Sequence, residues 1–432
     1  MVEGRWRMVD EVPPKPRAKA GGRRLHGRLD AVDALRGFAI LLMILVHVAR
    51  AVVTSDEPGA AGAIRSFLMT VEPYISTLFL TLAGVSLVLA RRACAATGDW
   101  WKRRLYRAVQ LVLLSWVIFW VHGGVNLPYP FLSAEILYTI GLAILVYAPV
   151  VGRDGIRWWL LAGSVAALSG ATALAEHNPG VFLSRLAQGP GAHLPNLLFP
   201  ALGIGLAWCW GDSPGRGRIY GRRCLVVSAA VVLVWYHAVW GAAHQDDARA
   251  RGGQLSNIEA VFNRPFGRVA HARELVTDGE WGSKYDLRWV AGRLGLADPP
   301  PRIVRSRSFW NKKLVLVPYL ASWMLVTFGV AYWLAGRKRL GRGPQENPQV
   351  AQASAPPGLP AGPLYRPLHL LGRHPLELYV LHLVLAAVLS IVPGKGLGIS
   401  GYVVCVLGTL AVCAGVALLL ERHRPVAPAG TR

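Results

Sequence analysis

Apolar segments of membrane-spanning length recur along this 432-residue chain, and they constrain its fold more than any other feature. A helix of roughly 20 apolar residues crosses a hydrocarbon core about 30 Å thick. Backbone polar groups in lipid must be satisfied within the segment, so each span is expected to be helical. The sequence therefore predicts an all-α, polytopic membrane helix bundle of about ten transmembrane helices. The predicted spans are 33–53, 73–90, 108–124, 131–150, 158–175, 192–210, 224–242, 314–336, 374–392 and 399–420.

The distribution of charge indicates an orientation. The chain carries a formal net charge of +23, which by itself could suggest a nucleic-acid partner. With both termini inside and ten spans, however, the inner segments hold 29 Lys and Arg residues and the short outer segments hold 3. This positive-inside bias predicts a multi-pass protein of the cell (inner) membrane with both termini cytoplasmic. Membrane lipid is the partner that this charge indicates, and no nucleic acid is expected.

The spans and the segments between them give a provisional domain organisation. The polar, basic N-terminal stretch reads as a tail with no cleavable signal peptide, and the Pro- and Ala-rich stretch near residue 350 reads as a linker. The predicted segments are a cytoplasmic tail (1–32), a transmembrane core of spans one to seven (33–242), an extracytoplasmic loop or cap (243–313), span eight (314–336), a cytoplasmic linker (337–373), spans nine and ten (374–420) and a cytoplasmic tail (421–432).

Two ionisable residues stand in the first predicted span, in DALRGFAILLMILVHV. Arg36 and His47 are eleven positions apart, so a helix separates them by about 16 Å, with His47 roughly halfway across the bilayer core. Ionisable side chains at such depth are costly and mark candidate functional sites. Arg36 is either a snorkelling anchor or a cation that pairs with Asp33 or binds an anionic substrate group. His47 is either a packing residue or a neutral general base or acyl acceptor.

Other polar residues lie at depth in later spans. His382, in LYVLHLVL of span nine, is either a second catalytic histidine or a structural hydrogen-bonding group. Glu135 and Tyr138 lie one turn apart on the same face of span four, and they form either a substrate-binding pair or an interfacial hydrogen bond. Asn196 is a candidate substrate-binding residue with a structural role as the alternative. The five cysteines show no zinc-type spacing, so no metal is predicted.

Several segments carry a family resemblance. RLDAVDALRGFAILLMILVH resembles the first span of membrane-bound acyltransferases, especially bacterial relatives of heparan-alpha-glucosaminide N-acetyltransferase, and its Arg-to-His spacing resembles the acyltransferase type 3 family. STLFLTLAGVSLVLARR, ILYTIGLAILV, LFPALGIGLA and LLGRHPLELYVLHLVL are similar to later family segments. The chain departs from the heparan-type pattern in two places. Residues 54–72 hold no histidine, and PYISTLF holds no aspartate.

The resemblance implies an acyltransferase that uses acetyl-CoA as a cytoplasmic acyl donor and acts on an extracytoplasmic, carbohydrate-like acceptor. On that reading, an acetyl or similar group moves to a hydroxyl or amine. His47 and His382 are then the catalytic candidates, and Arg36 binds acyl-CoA. A multi-pass transporter or channel with a midplane histidine proton relay is the alternative, and a structural protein without chemistry is a third hypothesis.

Overall fold

The computed structural model describes residues 22–54, 59–93, 100–123, 136–153, 155–177, 193–209, 217–235, 317–337, 365–391 and 397–423. These residues form helices and short turns, and none of them lies in a strand. The predicted all-α membrane helix bundle is confirmed. The helices are α1 (Gly22–Val52), α2 (Ala60–Ala93), α3 (Trp100–Gly123), α4 (Ile136–Val151), α5 (Arg157–His177), α6 (His193–Asn196), α7 (Leu198–Cys209), α8 (Gly217–Trp235), α9 (Val317–Arg337), α10 (Tyr365–Arg373), α11 (Pro375–Ile391) and α12 (Gly398–Arg422).

Each predicted span overlaps a described helix, with two differences. The predicted span 192–210 is divided into α6 and α7 at Leu197. In addition, α10 occupies the end of the predicted cytoplasmic linker, where its nine residues are too short and too polar to give a span signal. The predicted extracytoplasmic segment 243–313 lies outside the described residues.

Several helices are long and apolar enough to cross a membrane. Four contain an apolar stretch of at least 18 residues, and four shorter stretches are also apolar. The long stretches are Val32–Val52, Val71–Arg92, Arg157–Ala175 and Gly398–Arg422. The remaining predicted spans fall on α3 and α8, so the number of ten membrane crossings stays a prediction.

The burial of the apolar stretches separates central from peripheral helices. In α2, 78% of the apolar stretch is buried, whereas the corresponding share is 22% in α12 and 17% in α5. Large apolar side chains are exposed along α3, α8 and α12. A soluble protein would not leave such rows in water, so these faces are the ones that contact lipid in the bundle.

Glycines allow the central helices to approach closely. A Cβ atom at Gly37 of α1 would overlap the carbonyl group of Leu368 in α10, and a Cβ atom at Gly372 of α10 would overlap the carbonyl group of Asp33. Helices α2 and α7 meet in the same way through Gly84 and Gly203. Small residues at helix contacts are typical of membrane bundles, because packing and not the hydrophobic effect drives helix association in lipid.

Side-chain contacts define the directions of the helices around α1. Arg36 and Arg50 of α1 contact Ser86 and Glu72 of α2, respectively, so α1 and α2 are antiparallel. The hydroxyl of Tyr402, near the start of α12, donates to the carbonyl oxygen of Leu45. Helix α12 is thereby placed beside the half of α1 that contains His47.

Candidate active site

His47 and His382 face each other in the centre of the bundle. The side chains come from α1 and α11, and the two residues are 4% and 1% exposed. The Nδ1 atom of His47 lies 2.9 Å from the Nε2 atom of His382, which is hydrogen-bond distance. The ring planes differ by 6° and the centroids are 5.1 Å apart, a separation that fits two rings joined edge to edge through their nitrogens. The structure therefore brings the two predicted catalytic histidines into one hydrogen-bonded pair.

A backbone carbonyl determines which ring nitrogens carry protons. The Nδ1 atom of His382 lies 3.0 Å from the carbonyl oxygen of Leu378. A carbonyl oxygen only accepts, so Nδ1 of His382 must be the donor, and Nε2 of the neutral ring must accept. His47 then donates through Nδ1, and its own Nε2 carries no proton. This assignment follows from the hydrogen-bond network, as tautomer assignments generally do.

The surroundings of the histidine pair are apolar and aromatic. The Tyr379 ring makes an edge contact with His382 at a centroid distance of 5.3 Å, and Phe79 of α2 makes an edge contact with Tyr379 at 6.3 Å. His47 lies fifteen residues after Val32 and five before Val52, so it is nearer to the Val52 end than to the middle of its span. Hydrogen bonds in such surroundings are stronger than in water, and the rings have little freedom to reorient.

Arg36 lies at the other end of the same apolar stretch. Its guanidinium donates to the Asp33 carboxylate one turn earlier and to the Ser86 hydroxyl of α2. Asp33 also interacts electrostatically with His369 and Arg373 of α10. The predicted pairing of Arg36 with Asp33 is thus present, and the arginine lies about 16 Å from His47 along the helix.

An ion pair near His47 on α1 was not predicted from the sequence. Arg50, one turn after His47 on α1, is paired with the carboxylate of Glu72 in α2, whose side chain is 4% exposed. Glu72 directly precedes Pro73, whose carbonyl accepts hydrogen bonds from the hydroxyls of Ser76 and Thr77. An arginine three residues after a deep histidine was the available signal, because positions i and i+3 share a helix face.

Tyr138 belongs to a second polar cluster, with Thr139 and His193, and Asn196 lies three residues after His193. The Tyr138 ring of α4 lies 5.0 Å from the ring of His193, which begins α6, and Asn196 ends that same short helix. The Thr139 hydroxyl lies 3.5 Å from Nδ1 of His193. Asn196 and His193 are both buried. The predicted substrate-binding residue Glu135 lies outside the described residues, so its predicted pairing with Tyr138 stays a prediction.

Comparison with known proteins supports the resemblance found in the sequence. Residues 28–189 match the family model described as heparan-alpha-glucosaminide N-acetyltransferase, catalytic. The matched segment contains Arg36, His47, the Arg50–Glu72 pair and Tyr138, whereas His382 and Asn196 lie beyond it. No curated protein matches the chain. The predicted relationship to this family is confirmed over the matched segment, and the match supports membrane acetyltransferase activity.

Proposed function

We propose that this protein is an integral membrane acyltransferase that uses cytoplasmic acyl-CoA and modifies an extracytoplasmic, glycan-like acceptor. The observation that carries the proposal is the hydrogen-bonded chain from Nδ1 of His47 through His382 to the Leu378 carbonyl. It leaves Nε2 of His47 unprotonated, while the other unprotonated nitrogen, Nε2 of His382, accepts the hydrogen bond from His47. The family match supports the same class of reaction.

The proposed step uses Nε2 of His47 as a general base. It takes the proton from the acceptor hydroxyl or amine while the acceptor oxygen or nitrogen forms a bond to the thioester carbonyl carbon. The carbon–sulfur bond then breaks, and the imidazolium returns its proton to the departing thiolate. The products are the acylated acceptor and free coenzyme A, so atoms and charge balance without a metal or redox partner.

A covalent route uses the same nitrogen. In that route Nε2 attacks the thioester carbon, the carbon–sulfur bond breaks, and coenzyme A leaves as the thiolate while His47 carries the acyl group as a cationic acyl-imidazole. The acceptor oxygen or nitrogen then bonds to the acyl carbon, the bond from that carbon to Nε2 breaks, and the proton lost by the acceptor neutralises the thiolate. Both routes require an Nε2 atom without a proton, so the tautomer supports each of them. Acyl-enzyme that accumulates with labelled acetyl-CoA and no acceptor would indicate the covalent route.

The sides of the site follow from the predicted orientation. By the positive-inside rule, Arg36 is at the cytoplasmic end of the apolar stretch of α1, and there it meets the phosphates of acyl-CoA. The Arg50–Glu72 pair and the residues Tyr138, His193 and Asn196 are then on the extracytoplasmic side, where Glu135 also belongs. They are the candidates for acceptor binding.

A sided transfer assay tests the proposal. The protein is reconstituted in vesicles with acetyl-CoA inside and a panel of amino sugars and glycans outside. Its orientation is checked with a membrane-impermeant thiol reagent in a background without native cysteines. The reagent should label Ser283→Cys, in the predicted extracytoplasmic segment, and should not label Ser354→Cys, in the predicted cytoplasmic linker. We expect acetylation of an outer acceptor only when the basic segments of the protein face the vesicle interior and acetyl-CoA is enclosed there. A protein that neither binds coenzyme A nor transfers acetyl, yet conducts protons, would support the transporter alternative.

A further inference from the structure

We propose that the first turns of α3 bind the phosphate group of an anionic phospholipid, through the indole N–H of Trp100 and the guanidinium of Arg104. The predicted orientation puts this end of α3 at the cytoplasmic face. The proposal concerns a lipid site on the rim of the bundle, so it does not depend on the acyl-transfer reaction.

Two buried hydrogen-bond donors carry the proposal. Nε1 of Trp100 and Nε of Arg104 are inaccessible to solvent, and neither has a hydrogen-bond partner among the described residues. They lie four residues apart on α3, so they project from the same face of the helix. Buried donors in native proteins are satisfied as a rule, and a donor left without a partner is costly. A ligand oxygen between these two groups would satisfy both.

The charges around these donors indicate an anion. The Arg91 guanidinium of α2 lies 5.5 Å from the centre of the Trp100 ring, which is cation–π distance. Over residues 91–107 the sequence has six basic side chains and one acidic side chain, Asp99. A phosphate diester accepts several hydrogen bonds at once and carries the opposite charge, so it fits a site with N–H donors and two guanidinium groups.

The neighbouring surface of α3 favours a lipid over a free phosphate. Large apolar side chains begin beside Arg104 and continue for three turns, and they are exposed. They are Leu105, Tyr106, Val109, Leu113 and Val117. A phospholipid whose phosphate contacts Trp100 has its acyl chains along this row. Trp101 is 39% exposed, as an interfacial residue should be, whereas Trp100 is only 5% exposed.

Thermal unfolding of the purified full-length protein in dodecyl maltoside tests the site. The titrated additives are phosphatidylglycerol, phosphatidylcholine, sodium phosphate and acetyl-CoA, because a ligand that binds only the folded state raises the melting temperature. Trp100→Phe and Arg104→Lys each remove one unpartnered donor and keep the ring or the charge. Trp101→Phe and Arg103→Lys are the matched controls, at exposed positions one residue away.

We expect phosphatidylglycerol to stabilise the wild type and both controls, and each donor variant to bind it about tenfold more weakly. Removal of an unsatisfied donor should leave the lipid-free melting temperature of Trp100→Phe unchanged or slightly higher. Equal stabilisation of Trp100→Phe and wild type would overturn the proposal. The proposal would also be overturned if phosphatidylcholine stabilised the protein as much as phosphatidylglycerol does, or if sodium phosphate alone gave the full stabilisation. Competition between acetyl-CoA and phosphatidylglycerol would overturn it as well.

Discussion

Arg50 of α1 and Glu72 of α2 form an ion pair one helical turn beyond His47. Near the other end of the apolar stretch of α1, Arg36 contacts Ser86 of the same partner helix. These two contacts fasten α1 to α2 on either side of the histidine. Rotation or sliding of α1 would strain these two contacts, so together they hold the imidazole of His47 in position relative to α2.

Loss of the Glu72 carboxylate should therefore affect both stability and catalysis. Glu72→Gln leaves a partly buried guanidinium without its countercharge, which should cost about 1–3 kcal/mol, below the range for fully buried pairs. The double variant Arg50→Gln/Glu72→Gln should be less destabilised than the sum of the single variants, because the two groups interact. Thermal unfolding and the sided transfer assay measure both effects. Additive losses would show that the pair is energetically unimportant.

His47 is predicted to be indispensable for transfer. His47→Gln keeps a hydrogen-bonding group of similar size but has no basic nitrogen, so transfer should fall by at least about a hundredfold, the low end for general acid–base catalysis. Expression and stabilisation by acetyl-CoA should be retained. The readout is acetyl transfer in vesicles with internal acetyl-CoA. A rate near that of the wild type would reduce His47 to a packing residue.

His382 is predicted to be a positioning residue whose replacement is milder. Its Nε2 accepts from His47 and thereby holds the tautomer that leaves the other nitrogen of His47 unprotonated. His382→Gln offers a carbonyl oxygen in place of that acceptor, whereas His382→Phe offers none. We expect kcat to fall in the order wild type, His382→Gln, His382→Phe, His47→Gln, with KM for acetyl-CoA little changed. Equal activity of the Gln and Phe variants would contradict the role in holding the tautomer.

Arg36 is predicted to contribute to donor binding. Arg36→Ala should weaken acetyl-CoA binding by roughly tenfold or more, the value of a hydrogen bond to a charged group. Stabilisation by acetyl-CoA measures this separately from stability, because each variant is compared with and without the ligand. Arg107→Ala, which removes an exposed contact between the Arg107 guanidinium and Gln110 one turn later on α3, is the control. Unchanged stabilisation in Arg36→Ala would leave Arg36 as an anchor for α1.

Gly37 is predicted to tolerate no side chain. Gly37→Ala places a methyl group in the backbone of α10, so we expect a loss of about 1–3 kcal/mol, as for other overpacked sites, together with reduced transfer. Gly170→Ala in α5 is the matched control, because a Cβ atom there meets nothing within 4 Å. Its melting temperature should be unchanged or higher. A Gly37→Ala protein as stable as the Gly170→Ala protein would argue against the close contact.

The sequence predicted the helices well because span length and hydropathy are local properties. It identified Arg36, His47 and His382 because ionisable residues in apolar helices stand out from their neighbours. It did not predict that His47 and His382 meet, since they are 335 residues apart and no local pattern encodes a long-range contact. Glu72 was missed because it lies at the edge of a span, where a carboxylate is usually solvated.

The short helix α10 was missed for a different reason. Its nine residues hold too few apolar side chains to be recognised as membrane-embedded, and its contact with α1 is made through the backbone at Gly372. Hydropathy and charge patterns describe side chains, so they carry little information about a contact of this kind.

The glycine contact also has a consequence for the spacing of the reactive groups. His47 lies ten residues after Gly37, and His382 lies ten residues after Gly372. Gly37 and His47 lie in one continuous helix, about 15 Å apart along its axis, whereas a bend at His374 separates Gly372 from the helix that carries His382. Gain or loss of a single residue between Gly37 and His47 would therefore turn the His47 side chain by about 100° about the axis of α1, away from His382. The length of that stretch is therefore constrained in addition to its buried side chains, such as Ile40 and Ile44.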